Sequence, residues 1–315
     1  MANEDFKAFH EEICQCEGDR SEGTNRTYCY NLCWLKKRID GFDSEQGYPS
    51  FCEVMDYMTE NKIPARRQMS TYIAMKVLLN QRGLTEESEK YGRPLVEVRN
   101  ELQNEYDRQE LTGRAKKNWI EYKDICCCAK TLQAETFALD KRVLWTKQQY
   151  TRAQLAFVLT FHLKYPLRRV LCTVKYLPKD PSVGNVLDDK TKVITIREHK
   201  MQRKYKDPFT FQLDRKMWRL AQLIRRQHKL RGVEADAHLL LSKYWRPMTR
   251  NTFCNWMKRE MSTFDCCKGK SIGCLAIRRS VISHKRRGDR RMVDLKQIAS
   301  DCMHSVKANE LYRRY

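Results

Sequence analysis

The sequence has no run long and apolar enough to cross a bilayer. Its longest apolar segment, Ala153–Leu163, is interrupted by polar residues and followed by Lys164. No apolar stretch flanked by positive charge stands near the start, so an intracellular protein is expected and no membrane partner. Acidic residues are scarce in the second half. After position 150 there are 38 Lys or Arg against 14 Asp or Glu, whereas residues 1–50 hold 6 against 10. The net charge of +22 therefore sits on the C-terminal half, and like charges at that density call for a polyanion that neutralises them. Cysteine is not scarce, at 14, but without export a disulfide scaffold is excluded and reduced thiols are expected. Cys14, Cys16, Cys29 and Cys33, with His10 nearby, follow a C-x-C then C-x-x-x-C spacing that matches no trusted zinc pattern, so no metal site is expected. The run Cys126–Cys128 reads as small apolar filling in or beside a helix.

Residues 271–315 read SIGCLAIRRSVISHKRRGDRRMVDLKQIASDCMHSVKANELYRRY. The pair Arg278 and Arg279 lies in an apolar helical pattern; a lone histidine, His304, follows, and then Tyr312 close to the last residue. A guanidinium keeps its charge and offers a planar fork of donors that matches phosphate oxygens. A phenol, with a pKa of about 10, becomes a useful nucleophile only when held in line with its target while cations stabilise the transition-state charge. Such a set suits attack on a phosphodiester, and a covalent phosphotyrosine conserves the energy of the broken bond for rejoining. Singly, each of these residues also fits the surface helix of a basic protein.

Their order resembles the end of the tyrosine recombinase (phage integrase) family. The segment Tyr-Pro-Leu-Arg-Arg-Val-Leu at 165–171 resembles that family's first arginine box, with Pro166 presetting the turn. The resemblance implies that Arg168 and Arg278 bind the non-bridging oxygens of the scissile phosphate, that His304 assists, and that Tyr312 is the nucleophile. It also implies a β-hairpin lysine that protonates the leaving 5′ oxygen; Lys200 fits best by its place after a strand, with Lys204 second, each also fitting a plain backbone contact. Arg169, Lys204 and Arg279 are expected DNA contacts. One departure stands out: the histidine usual three residues before the second arginine is Leu275 here, and the nearest other histidine is His284.

The fold expected is mainly α with a small antiparallel β-sheet, of the α+β class. An acidic, Cys-containing segment spans 1–45. A helical region at 46–130 resembles the family's SAM-like core-binding domain, with Arg66, Arg67, Lys116 and Lys117 as candidate phosphate contacts; a solvated helix face explains each as well. A linker and incoming helix occupy 131–150, and the catalytic domain 151–315. Period and punctuation predict helices over Arg66–Asn80, ended near Gly83, and over Pro94–Arg108, with Leu95, Val98 and Leu102 on one face. The segment Ala115–Ile125 belongs to the same helical unit. Strand character falls at Leu171–Tyr176, Lys192–Ile196, Phe209–Leu213 and His238–Leu241. A basic amphipathic helix is expected at Arg215–Lys229, and another at Asn251–Met261 opened by Thr249 or Asn251.

What the resemblance implies is a site-specific recombinase or integrase working on double-stranded DNA as a homotetramer. It would use no cofactor, metal or nucleotide and be found with DNA inside the cell, in nucleus, nucleoid or viral replication site. A type IB topoisomerase-like nicking enzyme shares the chemistry. A catalytically inactive DNA-binding relative is the other alternative, which Leu275 suggests.

Overall fold

A computed structural model of the chain describes residues 2–14, 20–43, 47–108, 111, 113–176, 180, 182–199, 207–233, 237–287 and 291–303. The chain divides into two compact units, Met1–Arg108 and Gln109–Tyr315. Described elements are mainly helical with one small sheet, the α+β class expected.

The first unit holds α1 (Ala2–Cys14), α2 (Glu22–Lys36), α3 (Phe51–Glu60), α4 (Ala65–Gln81), α5 (Thr85–Lys90) and α6 (Gly92–Asp107). Local chemistry sets several of their ends. Ser50 and Glu53 close a reciprocal capping box at the start of α3, with Ser50 N–H donating to Glu53 Oε2 at 2.7 Å. Gly83, at φ +74°, takes the left-handed conformation just past α4. Leu95, Val98 and Leu102 line the buried face of α6, as their spacing predicts. The acidic N-terminal segment is not an appendage: Phe9, Ile13, Cys29, Leu32 and Leu35 are buried in the same core. Cys14 Sγ lies 3.7 Å from the His10 ring, and Cys16 lies outside the described residues.

The second unit holds α7 (Gly113–Lys117), α8 (Tyr122–Ala138), α9 (Lys147–Lys164), α10 (Arg215–Leu230), α11 (Arg250–Met261), α12 (Cys274–Lys285) and α13 (Met292–Asp301). Helix α9 is the hub. It is buried on every side from Ala153 to His162, with Gln154, Thr160 and His162 among the buried residues, and α8, α10, α11 and α12 pack on it. Thr146 and Gln149 start it with a second capping box. Because α8 packs on α9, the expected boundary at 130 falls inside a helix of this unit, and the start of the expected linker is that helix's last turns. The Ala115–Ile125 segment is not one helix; it breaks at residues 118–121.

The sheet runs β1 (Val174–Tyr176), β2 (Asn185–Asp188), β3 (Val193–Ile196), β4 (Phe209–Gln212), in that spatial order. It is mixed, not antiparallel throughout: β2–β3 and β3–β4 are antiparallel, but β1 pairs parallel with β2, Val174 opposite Asn185. Residues 169–173 form a 3-10 turn, and only 174–176 of the expected first strand are extended. His238–Leu241 forms isolated bridges, His238 with Lys175 and Leu241 with Pro247, instead of a strand.

A buried network joins hub, sheet and α10. His228 Nε2 lies 2.5 Å from Tyr150 Oη, and its Nδ1 lies 3.1 Å from Tyr176 Oη. Burial pushes His228 down to about 4, with Arg225 adding to the shift. His162, also fully buried, is pushed down to about 4 by burial, with Arg278 adding. An unfolded histidine binds its proton from about pH 6.5 downward. Between pH 6.5 and 4 the unfolded chain therefore holds more protons than the folded one, and stability falls as pH falls. Urea midpoints of the second unit should drop through that window, by up to about 3 kcal/mol per histidine. His228→Asn should flatten the pH slope by about half.

Candidate active site

Helix α9 stops where the sequence says it must. Tyr165, before Pro166, leaves the helical region at φ −122°, ψ 84°. Leu167 is buried and anchors the turn, while Arg168 and Arg169 point outward as exposed side chains. Arg168 is the residue just before the 3-10 turn, and Arg169 Nη1 donates to Asn251 Oδ1 at 2.9 Å. Asn251 lies in the first turn of α11; Thr249 is that helix's cap, its Oγ1 accepting from Thr252 N–H at 3.1 Å.

Helix α12 carries the second arginine on its buried face. Ile277, Val281 and Ile282 share that face, and Arg278 lies among them at 1 % exposed. Its Nη1 donates to the carbonyl of Pro166 at 2.6 Å and its Nη2 to the carbonyl of Cys302 at 2.8 Å. One guanidinium thus binds the backbone two residues before Arg168 and two residues before His304. Two of its five N–H donors are accounted for in this way. Lys285, at the end of the same helix, donates to the carbonyl of Lys164 at 2.6 Å and lies 3.6 Å from Asp301. Arg279 is half-buried, and Leu275 is 51 % exposed.

The approach to the expected lysine is fixed by Asn185, buried at the start of β2. Its Nδ2 donates to Thr173 Oγ1 at 2.7 Å and to the carbonyl of Glu198 at 3.2 Å. Its Oδ1 accepts from the N–H groups of Arg197 at 2.8 Å and Glu198 at 2.9 Å. The amide is satisfied on all sides, and it ties the 3-10 turn after Arg168 to the end of β3. Lys200, Lys204, His304 and Tyr312 themselves lie outside the described residues.

The other expected DNA contacts are dispersed. Arg66 and Arg67 are exposed on α4 in the first unit. Arg67 Nη1 donates to Asn31 Oδ1 at 2.9 Å, and its guanidinium lies 4.8 Å from the Trp34 ring centre. Lys116 and Lys117 are exposed at the end of α7 in the second unit. His284 stacks on Tyr122 with ring centres 3.7 Å apart. Among the described residues no group of three or more His, Cys, Asp or Glu could hold a metal ion.

No family model matches the chain, and no curated protein does. Solved structures similar to it include two recombinases. The crystal structure of XerA recombinase matches with a TM-score of 0.39 and 14 % identity, over 99 % of this chain and 94 % of that one. The XerH site-specific recombinase bound to its difH substrate, in a pre-cleavage complex, matches with a TM-score of 0.43 and 12 % identity, over 98 % and 92 %.

Three contributors to the site carry no sequence motif. The carbonyl of Cys302 acts through backbone, which no side-chain pattern reports. Asn251 stands out only as a polar residue at a helix start, and its bond to Arg169 depends on the fold. The third is Cys254, one turn further along α11. Its thiol is held at about 7, first by a hydrogen bond with Cys274 and then by the nearby charges of Arg169 and Lys258.

Arg278→Ala should strand two carbonyls in the interior and lower the stability of the second unit by about 2–5 kcal/mol in urea denaturation. Arg278→Lys keeps the charge but not the fork, and should recover only part of that loss. Arg168→Ala, at an exposed position, should stay within about 1 kcal/mol of the parent.

Proposed function

We propose that this chain is a site-specific DNA recombinase or integrase that breaks and rejoins strands through a 3′-phosphotyrosine. The observation that carries the reading is the reach of Arg278. A side chain from α12 binds the carbonyl of Pro166, two residues before Arg168, and the carbonyl of Cys302, two residues before His304. That tie supports a reading in which the first arginine, the second arginine and the histidine serve one phosphate.

In this reading Arg168, already exposed beside Arg169, receives a non-bridging phosphate oxygen first. Arg278, buried at 1 % exposure, joins it as the surrounding chain adjusts. The Tyr312 oxygen attacks phosphorus while the bond to the 5′ oxygen breaks, and Lys200 gives that oxygen its proton. The products are a 3′-phosphotyrosyl end and a free 5′ hydroxyl; attack by a 5′ hydroxyl on the tyrosyl ester reverses the step and joins strands. His304 supports the phosphate. Double-stranded DNA is the substrate, and a homotetramer inside the cell holds the two duplexes. The positive second half supplies sequence-independent affinity through counterion release.

The decisive assay is a suicide substrate, a nicked duplex drawn from DNA flanking the encoding locus, incubated with the chain and resolved on a denaturing gel. The wild type should yield a covalent adduct. Tyr312→Phe should abolish it, and Arg168→Ala should slow its formation by at least about a hundredfold. Absence of any adduct despite binding would favour an inactive DNA-binding protein of this fold, a reading that the deep burial of Arg278 keeps in view. Relaxation of supercoiled DNA without a specific site would point to a topoisomerase-like enzyme.

A further inference from the structure

The outer face of α10 is strongly basic. The helix contains six Lys or Arg and no Asp or Glu. Its inner face, with Met217, Leu220 and Ile224, is buried in the core. Its outer face and the end of α8 border a groove of about 830 Å3, within the size range of pockets that bury a ligand. Of its lining, Phe137, Leu139 and Leu223 are half-buried and make an apolar floor, while Leu230 is exposed and so are Lys141, Arg219, Arg226 and Lys229, which make a cationic rim. The guanidinium of Arg219 lies 4.1 Å from the centre of the Phe137 ring, so charge and apolar surface are continuous.

The chain just past the groove, held to α10 by Gln227, also carries exposed aliphatics. Gln227 Nε2 donates to the carbonyl of Val143 at 3.0 Å, and its Oε1 accepts from Trp145 N–H at 2.9 Å. This bracket holds residues 143–145 along α10, with Val143 and Leu144 each 54 % exposed; Leu230, one turn beyond Gln227, is 40 % exposed. Exposed aliphatics beside an apolar groove mark a surface that something covers.

The two chemistries together select the occupant. A DNA backbone would neutralise the rim but present only sugar and phosphate to the aliphatic floor, leaving that floor without a partner. A bilayer surface is flat, whereas this surface is a groove. The chain's own acid-rich helices do not fit either, because Phe9, Ile13, Leu32 and Leu35 on α1 and α2 are buried in the first unit's core. We propose that the groove is a docking site for an acidic amphipathic helix of a partner protein. Aliphatic side chains of that helix fill the floor between Phe137 and Leu230, and its carboxylates pair with Arg226, Lys229 and Lys141 on the rim. The site is independent of the strand-breaking chemistry.

The test is fluorescence anisotropy of the full chain with a labelled synthetic helix of about 18 residues, Leu on one face and Glu elsewhere. A dissociation constant in the micromolar range is expected. Two exposed double substitutions, Arg226→Glu with Lys229→Glu and Val143→Ser with Leu230→Ser, should each weaken binding by roughly tenfold or more. A scrambled peptide of the same composition and a polyglutamate of the same length should bind at least about tenfold less well. The proposal is overturned if the helix does not bind, or if either control peptide matches it. It is also overturned if only the charge pair matters and duplex DNA competes fully, which would make the groove a polyanion site. Binding to phosphatidylserine vesicles that depends on the aliphatic pair, without binding of the peptide, would make it a membrane contact and overturn it as well.

Discussion

A guanidinium group taken out of water must have its donors met, or the unit that buries it comes apart. In the second unit that constraint falls on Arg278, and the groups that meet it are two backbone carbonyls. One lies 112 residues away in sequence and the other 24. The first carbonyl follows the end of α9, where the last turn leaves acceptors without intrahelical donors and concentrates negative partial charge. A second cation of α12, Lys285, lands on the same helix end at the carbonyl of Lys164. Helix α12 is thus tied to the hub through polar ends as well as apolar faces, and the turn that displays Arg168 inherits its position from both.

Not every cation of the basic half is available to a polyanion. Arg225 pairs with Asp189 and lies over Tyr176, and Arg231 donates to the carbonyl of Trp145 while covering Trp245. These side chains act as long apolar stems with a polar end that finds an internal acceptor. Arg168 and Arg169 on one turn, and Arg219, Arg226 and Lys229 on α10, are among the cations that remain exposed.

Much of this was legible in the chain. Helices α4, α6 and α10 follow from apolar spacing, and Gly83 and Gly232 mark the ends of two of them because each adopts positive φ. Burial of Arg278 could be read from its place among Ile277, Val281 and Ile282, since residues three and four apart share a helix face. Pro166 announced the turn before Arg168. Other features were not legible. The parallel pairing of β1 with β2 depends on which neighbour a three-residue strand finds, and no local pattern encodes direction. His238–Leu241 has strand composition, but its pairing is limited to single bridges at its ends. The end of one helical unit and the start of the next, near residue 108, carries no run of Gly or Pro to mark it. The segments holding Lys200, His304 and Tyr312 rest on resemblance, because they lie outside the described residues.

The chain has two separate apolar cores, one in each unit. A protein built this way need not lose its structure in one cooperative step, so a single melting temperature is not a property of the whole molecule. Of its six tryptophans only Trp34 belongs to the first unit, while Trp119, Trp145, Trp218, Trp245 and Trp256 belong to the second. Intrinsic indole fluorescence therefore monitors the C-terminal core almost alone, and melting of the N-terminal helices would pass largely unseen by that probe.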